Sequence, residues 1–270
     1  MGASARQDTL PTIWRIPDDL WLIVQYVLPR EELQRSRGRP WIAPRCILDG
    51  VLYVLRTGCQ WKAVPREFGS GSTVHRRFQS WVERGVWEAM WDLVVQYYDA
   101  AESLEWTWQS ADASLHKAPL GGKKTGPNPT DRAKSGTKRH VLTDGGGVPI
   151  GLAITAANTP DKTALAELLD SRVIRPPAHT EQHLCLDKGY DYADAEEAVR
   201  RRRFLSHIRR RGEERRHCRR GERARRWVVE RTHSWFNRFR KLLIRWEKKP
   251  QNYLALVQFA AVLIVWRLVG

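Results

Sequence analysis

The chain has 270 residues, is 42% hydrophobic, and sets 46 Lys and Arg against 30 Asp and Glu for a net charge of +16. That length and apolar content exclude a disordered chain and leave room for one large domain or two small ones. A single-sign excess of this size points to a polyanionic partner, nucleic acid first, because such a field attracts phosphates and releases their counterions.

Cys46, Cys59, Cys185 and Cys218 are scattered, with no paired spacing that would hold zinc, and read as reduced thiols. No signal-peptide pattern is visible, and the most apolar stretch, Tyr253 to Trp266, is interrupted by Gln258 and falls short of the ~20 residues a bilayer span needs. The expectation is a cytoplasmic protein that does not enter a membrane.

Along the chain, the first third reads helical. Cys46, Ile47, Leu48, Val51, Leu52, Val54 and Leu55 give Arg45 to Arg56 a broad apolar face, with Gly58 as its stop. A short helix fits Gln60 to Ala63. After Gly69-Ser70-Gly71, Ser72 is placed to cap a helix carrying Val74, Phe78, Trp81 and Val82 on one face and His75, Arg76, Arg77, Gln79 and Ser80 on the other. Helix, turn, helix with a basic outer face is the outline of a DNA reader, so residues 1–100 are expected to form a helix-turn-helix-like DNA-binding region, with Arg76 and Arg77 as its contacts.

From about residue 101 the rhythm changes to strands. Trp106 to Ser110 leads into Asp112; Lys138 to Thr143 and Pro149 to Ala156 flank Asp144-Gly145-Gly146-Gly147, a strong hairpin signal. A helix fits Lys162 to Asp170, then a strand His183 to Leu186, a helix near Tyr192 to Arg201, a strand Leu205 to Ile208 and a long helix from about Arg225 to Trp246. Tyr253 to Trp266 reads as a buried helix. Residues 101–270 thus predict an α/β domain with a mixed sheet flanked by helices. Between Arg200 and Arg226 lie fourteen arginines, against Glu213, Glu214 and Glu222, a run that would ride on phosphates beside a DNA channel.

Among the acids, Asp144 reads as a turn residue and Asp161, after Pro160, as a helix cap. Asp112 and Asp187 differ, since each follows an apolar strand candidate, where sites gather and where a carboxylate must be solvated, paired or metal-bound. Glu230 is the third candidate: at 100° per residue Arg226, Glu230, Asn237 and Lys241 share one stripe of the predicted long helix. The trio is spaced 75 and then 43 residues apart. Lys138, Arg139, Lys188, Arg226 and Lys241 are the basic residues expected to meet DNA around this sheet.

These blocks resemble the DDE transposases of bacterial insertion sequences, specifically the insertion sequence five type. IPDDLW, LDGVLYVLRTGCQW and VPREFGSGSTVHRRFQSWVERGVW look like that family's helical DNA-binding region. DASLHKA, GPNPTDRAKSGTKRHVLTDGGGVPIG, AANTPD, LDKGYD and RRWVVERTHSWFNRFR look like its catalytic blocks, in order. The resemblance implies a ribonuclease H-like fold, Asp112, Asp187 and Glu230 as catalytic acids holding two Mg²⁺ (Mn²⁺ as a substitute), and Arg226 on a phosphate near the cut. It also implies binding to terminal inverted repeats, strand cleavage and strand transfer, and a homo-oligomer on DNA. The chain departs from the pattern at Arg223 and Asn237, where relatives often carry Tyr and Lys; the alternative function is a catalytically inactive DNA-binding repressor.

Overall fold

The computed structural model describes residues 14–29, 41–208 and 226–269. Its N-terminal part is helical: α1 (Asp18–Val24), α2 (Pro44–Thr57), α3 (Gly71–Glu83) and α4 (Val86–Glu102), with short 3-10 turns at Trp61–Ala63 and Arg66–Phe68. Gly58 ends α2 as expected, at φ +74°, its N–H donating to the Val54 carbonyl; a Cβ there would meet the Arg240 backbone at 3.3 Å. The cap of α3 differs from expectation. Ser70 rather than Ser72 is its N-cap and accepts from the Thr73 amide, because the chain reaches helical φ and ψ at Gly71, two residues earlier than the sequence pattern suggests.

The sheet follows. Its strands are β1 (Trp108–Lys117), β2 (Gly126–Pro127), β3 (Ser135–Thr143), β4 (Pro149–Ala156), β5 (Gln182–Leu186) and β6 (Phe204–Ile208), with α5 (Asp161–Asp170) and α6 (Ala193–Arg201) between them. β3 pairs antiparallel with β1 and β4, whereas β5 runs parallel to β1 and β6 parallel to β5. Reading across the sheet, β4, β3, β1, β5 and β6 form an antiparallel meander joined to two parallel strands, the ribonuclease H-like order. β4 is buried along nearly its whole length, as a strand covered on both faces must be.

The predicted long helix from Arg225 to Trp246 is broken. α7 (Trp227–Asn237) stops, Phe239 takes an extended conformation, and a four-residue helix α8 (Arg240–Leu243) resumes in a new direction. The break lets Phe236, Phe239 and Leu242 all reach the core, and it removes Lys241 from the stripe of Glu230. α9 (Pro250–Trp266) is the expected buried helix, and among the described residues no helix is long and apolar enough to cross a membrane.

One hydrophobic core runs through both parts of the chain. The Trp87 ring of α4 lies 5.1 Å from Phe259 of α9, and the Trp91 indole N–H donates to the Pro149 carbonyl of β4 at 3.0 Å. Cys46 and Cys59 are partly exposed free thiols and Cys185 a buried one; Cys218, like Arg223 and most of the arginine run, lies outside the described residues.

Arg245 closes the fold at its C-terminal side. Its guanidinium, 1% exposed, spends all five N–H donors: on the carbonyls of Lys123, Lys124, Glu247 and Lys248 and on Thr137 Oγ1, at 2.7–3.2 Å. Replacing it by Met strands several buried carbonyls and is expected to cost about 3–5 kcal/mol in urea unfolding. Arg245→Lys should recover less than half of that loss, since an ammonium has three donors; full recovery by Lys would show that charge alone matters.

Candidate active site

The site is built by the parallel pairing of β1 with β5. Their register matches Ser110 with Cys185, and just past the last paired residues stand Asp112, still within β1, and Asp187, the first residue after β5, near enough for the Asp187 charge to act on Asp112. Asp112 is therefore mid-strand in β1, which continues to Lys117, rather than at a strand end as its sequence context suggested. What ends there is β5: the chain turns away after Leu186, and Asp187 accepts from the Lys188 amide at 2.5 Å as cap of a 3-10 turn, Lys188–Tyr190.

Glu230 arrives on α7, and the hairpin turn aims that helix. Asp144 does the turn work expected of it, accepting from Val148 N at 2.7 Å and Glu105 N at 3.0 Å; burial nevertheless raises its pKa to about 6. The turn then presents its carbonyls to α7, where Thr232 Oγ1 donates to Gly147 at 2.7 Å and Arg231 donates to Gly146. Gly147 sits at φ +92°, and a Cβ there would stand 2.9 Å from the Arg231 guanidinium, so the helix approaches only a glycine.

Arg226 ties the acids together. Its Nη1 lies 2.6 Å from Asp187 Oδ1 and its Nη2 3.4 Å from Glu230 Oε1. The Asp112, Asp187 and Glu230 side chains are 35%, 46% and 56% exposed, open enough for a large substrate. Burial, and then the neighbouring Asp187, push the Asp112 carboxyl up to about 6, against the pull of the Ala113 amide and Arg226. Asp161 adds to that push. Far from capping α5, it makes no cap bond and pairs with Lys138 at 2.8 Å.

Among the described residues no three metal-type side chains stand close enough together to hold an ion in this conformation, in which Arg226 is the cation between Asp187 and Glu230. The donor set still fits a hard divalent cation: all oxygen, partly solvated, and short of positive charge at Asp112.

One residue at the site was not anticipated. His233, one turn beyond Glu230, has its Nε2 4.0 Å from Asp112 Oδ2 and neither ring nitrogen hydrogen-bonded. Burial, then the charge of Arg139, then His116, hold it near pKa 3, so it is a neutral imidazole facing the carboxylate. The sequence signal was its i+3 spacing from Glu230.

The predicted DNA contacts divide. Arg76 is exposed on the outer face of α3, Lys188 follows Asp187 directly, and Arg226 is at the acids. Four others are used internally and are corrected. Arg77 is buried, its guanidinium 4.5 Å from the Trp41 ring. Arg139 is fully buried over Phe236 and bonded to Asn237 Oδ1, because β3 is interior. Lys241 is sealed in a 3.1 Å pair with Glu247, and Lys138 bonds Asp161 and the Thr159 carbonyl.

A ribonuclease H-like sheet with acids on its two central strands and a third on the flanking helix defines a class, the enzymes that transfer phosphoryl groups in nucleic acids. Sequence comparison narrows it. A family model described as "Putative transposase of IS4/5 family" matches residues 16–91, and the "Transposase DDE domain" model matches residues 109–265, more than half of the chain. A putative transposase for insertion sequence element IS402 of Burkholderia cepacia is 39% identical over 151 residues, covering 54% of this chain and 70% of the relative. An uncharacterized 16.2 kDa protein of the same element is 34% identical over 118 residues, covering 42% and 80%. The chain belongs to the DDE transposases of bacterial insertion sequences.

Two solved structures also align. They are the Mos1 mariner paired end complex with Mn (11% identity, 86% of this chain and 82% of that one, TM-score 0.28) and the Mos1 Strand Transfer Complex (12%, 86% and 81%, TM-score 0.28). At that TM-score neither bears on the arrangement of the site.

The charge balance is measurable without substrate. Asp112 is raised in the folded state, so its protonated form favours folding: that contribution is complete below pH 3.8 and lost as pH rises through about 6. Asp112→Asn should therefore raise the Tm of metal-free protein at pH 7.5, by roughly 2–4 °C for a contribution screened to about 1 kcal/mol, with the gain vanishing toward pH 4. Arg226→Gln should lower it. A gain that does not depend on pH would sink this account.

Proposed function

We propose that this transposase binds the terminal inverted repeats of its insertion sequence, cuts the DNA there and joins the freed ends to target DNA, using Asp112, Asp187 and Glu230. The supporting observation is that the β1–β5 pairing leads to Asp112 on one side and Asp187 on the other, near enough to interact, while Arg226 links Asp187 to Glu230. The three carboxylates would hold divalent ions, Mg²⁺ or in its place Mn²⁺, and these supply the charge that activates a water or a DNA 3′-hydroxyl and stabilises the departing oxygen.

The chain's own residues do the rest. Arg226, half-exposed between two acids with one contact to each, exchanges a carboxylate for a DNA phosphate, which its planar fork can hold bidentately. Lys188 stands where it can meet the same strand, and His233, neutral and buried, backs the Asp112 carboxylate from the protein side. Because the nucleophile comes from water or DNA, no covalent protein intermediate forms. Arg76 on α3 contacts the repeat away from the cut. Joining two ends in one event calls for at least a dimer on DNA.

The experiment is cleavage of labelled element ends by the full chain. Wild type should nick only with divalent metal, and Asp112→Ala, Asp187→Ala and Glu230→Ala should each lower the rate by about 10³-fold or more, as for groups acting as a unit. Undiminished nicking by any of the three would remove that residue from the site, and no metal-dependent nicking by wild type would remove the function.

A further inference from the structure

Away from the acids, a cavity of about 540 Å³ opens where α7, α2 and α9 meet. Arg15, Arg56, Arg238 and Arg267 line it, together with apolar and aromatic side chains that include Trp235 and Trp266, and no carboxylate lines it. Arg15, Arg238 and Arg267 are exposed, whereas Arg56 is half-buried with its Nε sealed from water and without a hydrogen-bond partner. Burial, and then the charge of Arg267, depress the Arg56 pKa. Four cations around an apolar hollow, one of them with an unmet donor, repel one another until an anion enters.

The same helix joins this cavity to the catalytic acids. From Glu230 to Arg238 is eight residues, or ~12 Å along α7. Between the two points Arg231 is stacked between the Trp227 and Trp235 rings, at 4.9 and 4.8 Å, and Trp227 is 53% exposed. Trp227, Arg231, Trp235 and Arg238 fall within 80° of one another around the helix, a stripe of aromatic faces and guanidinium groups that starts beside Glu230.

We infer that this cavity is a binding site for an unpaired DNA strand, with the arginines on its phosphates and Trp235 against a base, ~12 Å along α7 from Glu230. A half-open cleft of this volume has room for a nucleotide, and its pairing of cations with aromatic faces is the chemistry that holds single strands without reading sequence. The inference rests on the reading of the chain as a strand-cutting transposase and names where the strand beside the cut is kept.

Binding is read in EDTA, by fluorescence anisotropy of the full chain with single-stranded and duplex oligonucleotides across a salt series. The double variant Arg238→Gln/Arg267→Gln, both positions exposed, should keep the wild-type Tm. For single strands it should flatten the dependence of log K on log salt by about 1.4, two contacts at ~0.7 each, with the duplex slope unchanged. Trp235→Leu should keep the slope but abolish the quenching of a 2-aminopurine base in the single strand. An unchanged single-strand slope overturns the inference, and so does an equal fall for duplex, which would make the rim an ordinary duplex contact. Cleavage is scored separately. Wild type that never nicks, with the slopes behaving as expected, overturns the catalytic reading and leaves the cavity standing; metal-dependent nicking with an unchanged slope does the reverse.

Discussion

Neighbouring carboxylates repel each other, and much of what surrounds Asp112 and Asp187 exists to make their closeness tolerable. The pairing of β1 with β5 delivers the chain to both, Asp112 within β1 and Asp187 at the turn that follows β5. Arg226 pairs with Asp187 and Glu230 and pulls more weakly on Asp112, which accepts from the Ala113 amide, yet burial first and Asp187 second keep the Asp112 pKa raised. A site left short of positive charge favours a cation or a protonated acid.

The basic character of the chain divides into two populations. Arg77, Arg139, Arg245 and Lys241 are interior, matched to aromatic rings, carbonyls or a single glutamate, and they contribute to folding rather than to an external field. Arg139 acts further: after burial, its charge is the next cause that lowers the pKa of both His116 and His233. Among the described residues, the cations that remain exposed include Arg76 on α3 and Arg15, Arg238 and Arg267 around the cavity below α7. Net charge identified the kind of partner; burial decides which residues reach it.

The helical N-terminal part and the sheet are mechanically one body. Trp87 on Phe259 and Trp91 on Pro149 bind α4 to the C-terminal helix and to β4, and α7 is held from the other side by the carbonyls of the β3–β4 turn. Gly147, at φ +92°, is where the turn meets α7, and a glycine lets the two touch.

Much of the design was legible in the residues alone. The period-2 runs around Asp144-Gly145-Gly146-Gly147 marked the hairpin, the apolar face before Gly58 marked α2, and the basic balance marked a polyanionic partner, because each is a local signal set by backbone geometry or by composition. The three candidate acids could be picked out by their places after apolar runs and on a helix stripe, and family resemblance put them in order. Their meeting could not be read locally: Asp112 and Asp187 become neighbours through a β1–β5 pairing 75 residues apart, and Glu230 through a helix docked on a distant turn. The break at Phe239, the burial of Arg139 and Lys241 and the approach of His233 to Asp112 belong to the same class. A helical period says which residues share a face, but only the packed core decides where that face ends and which charges it seals from water.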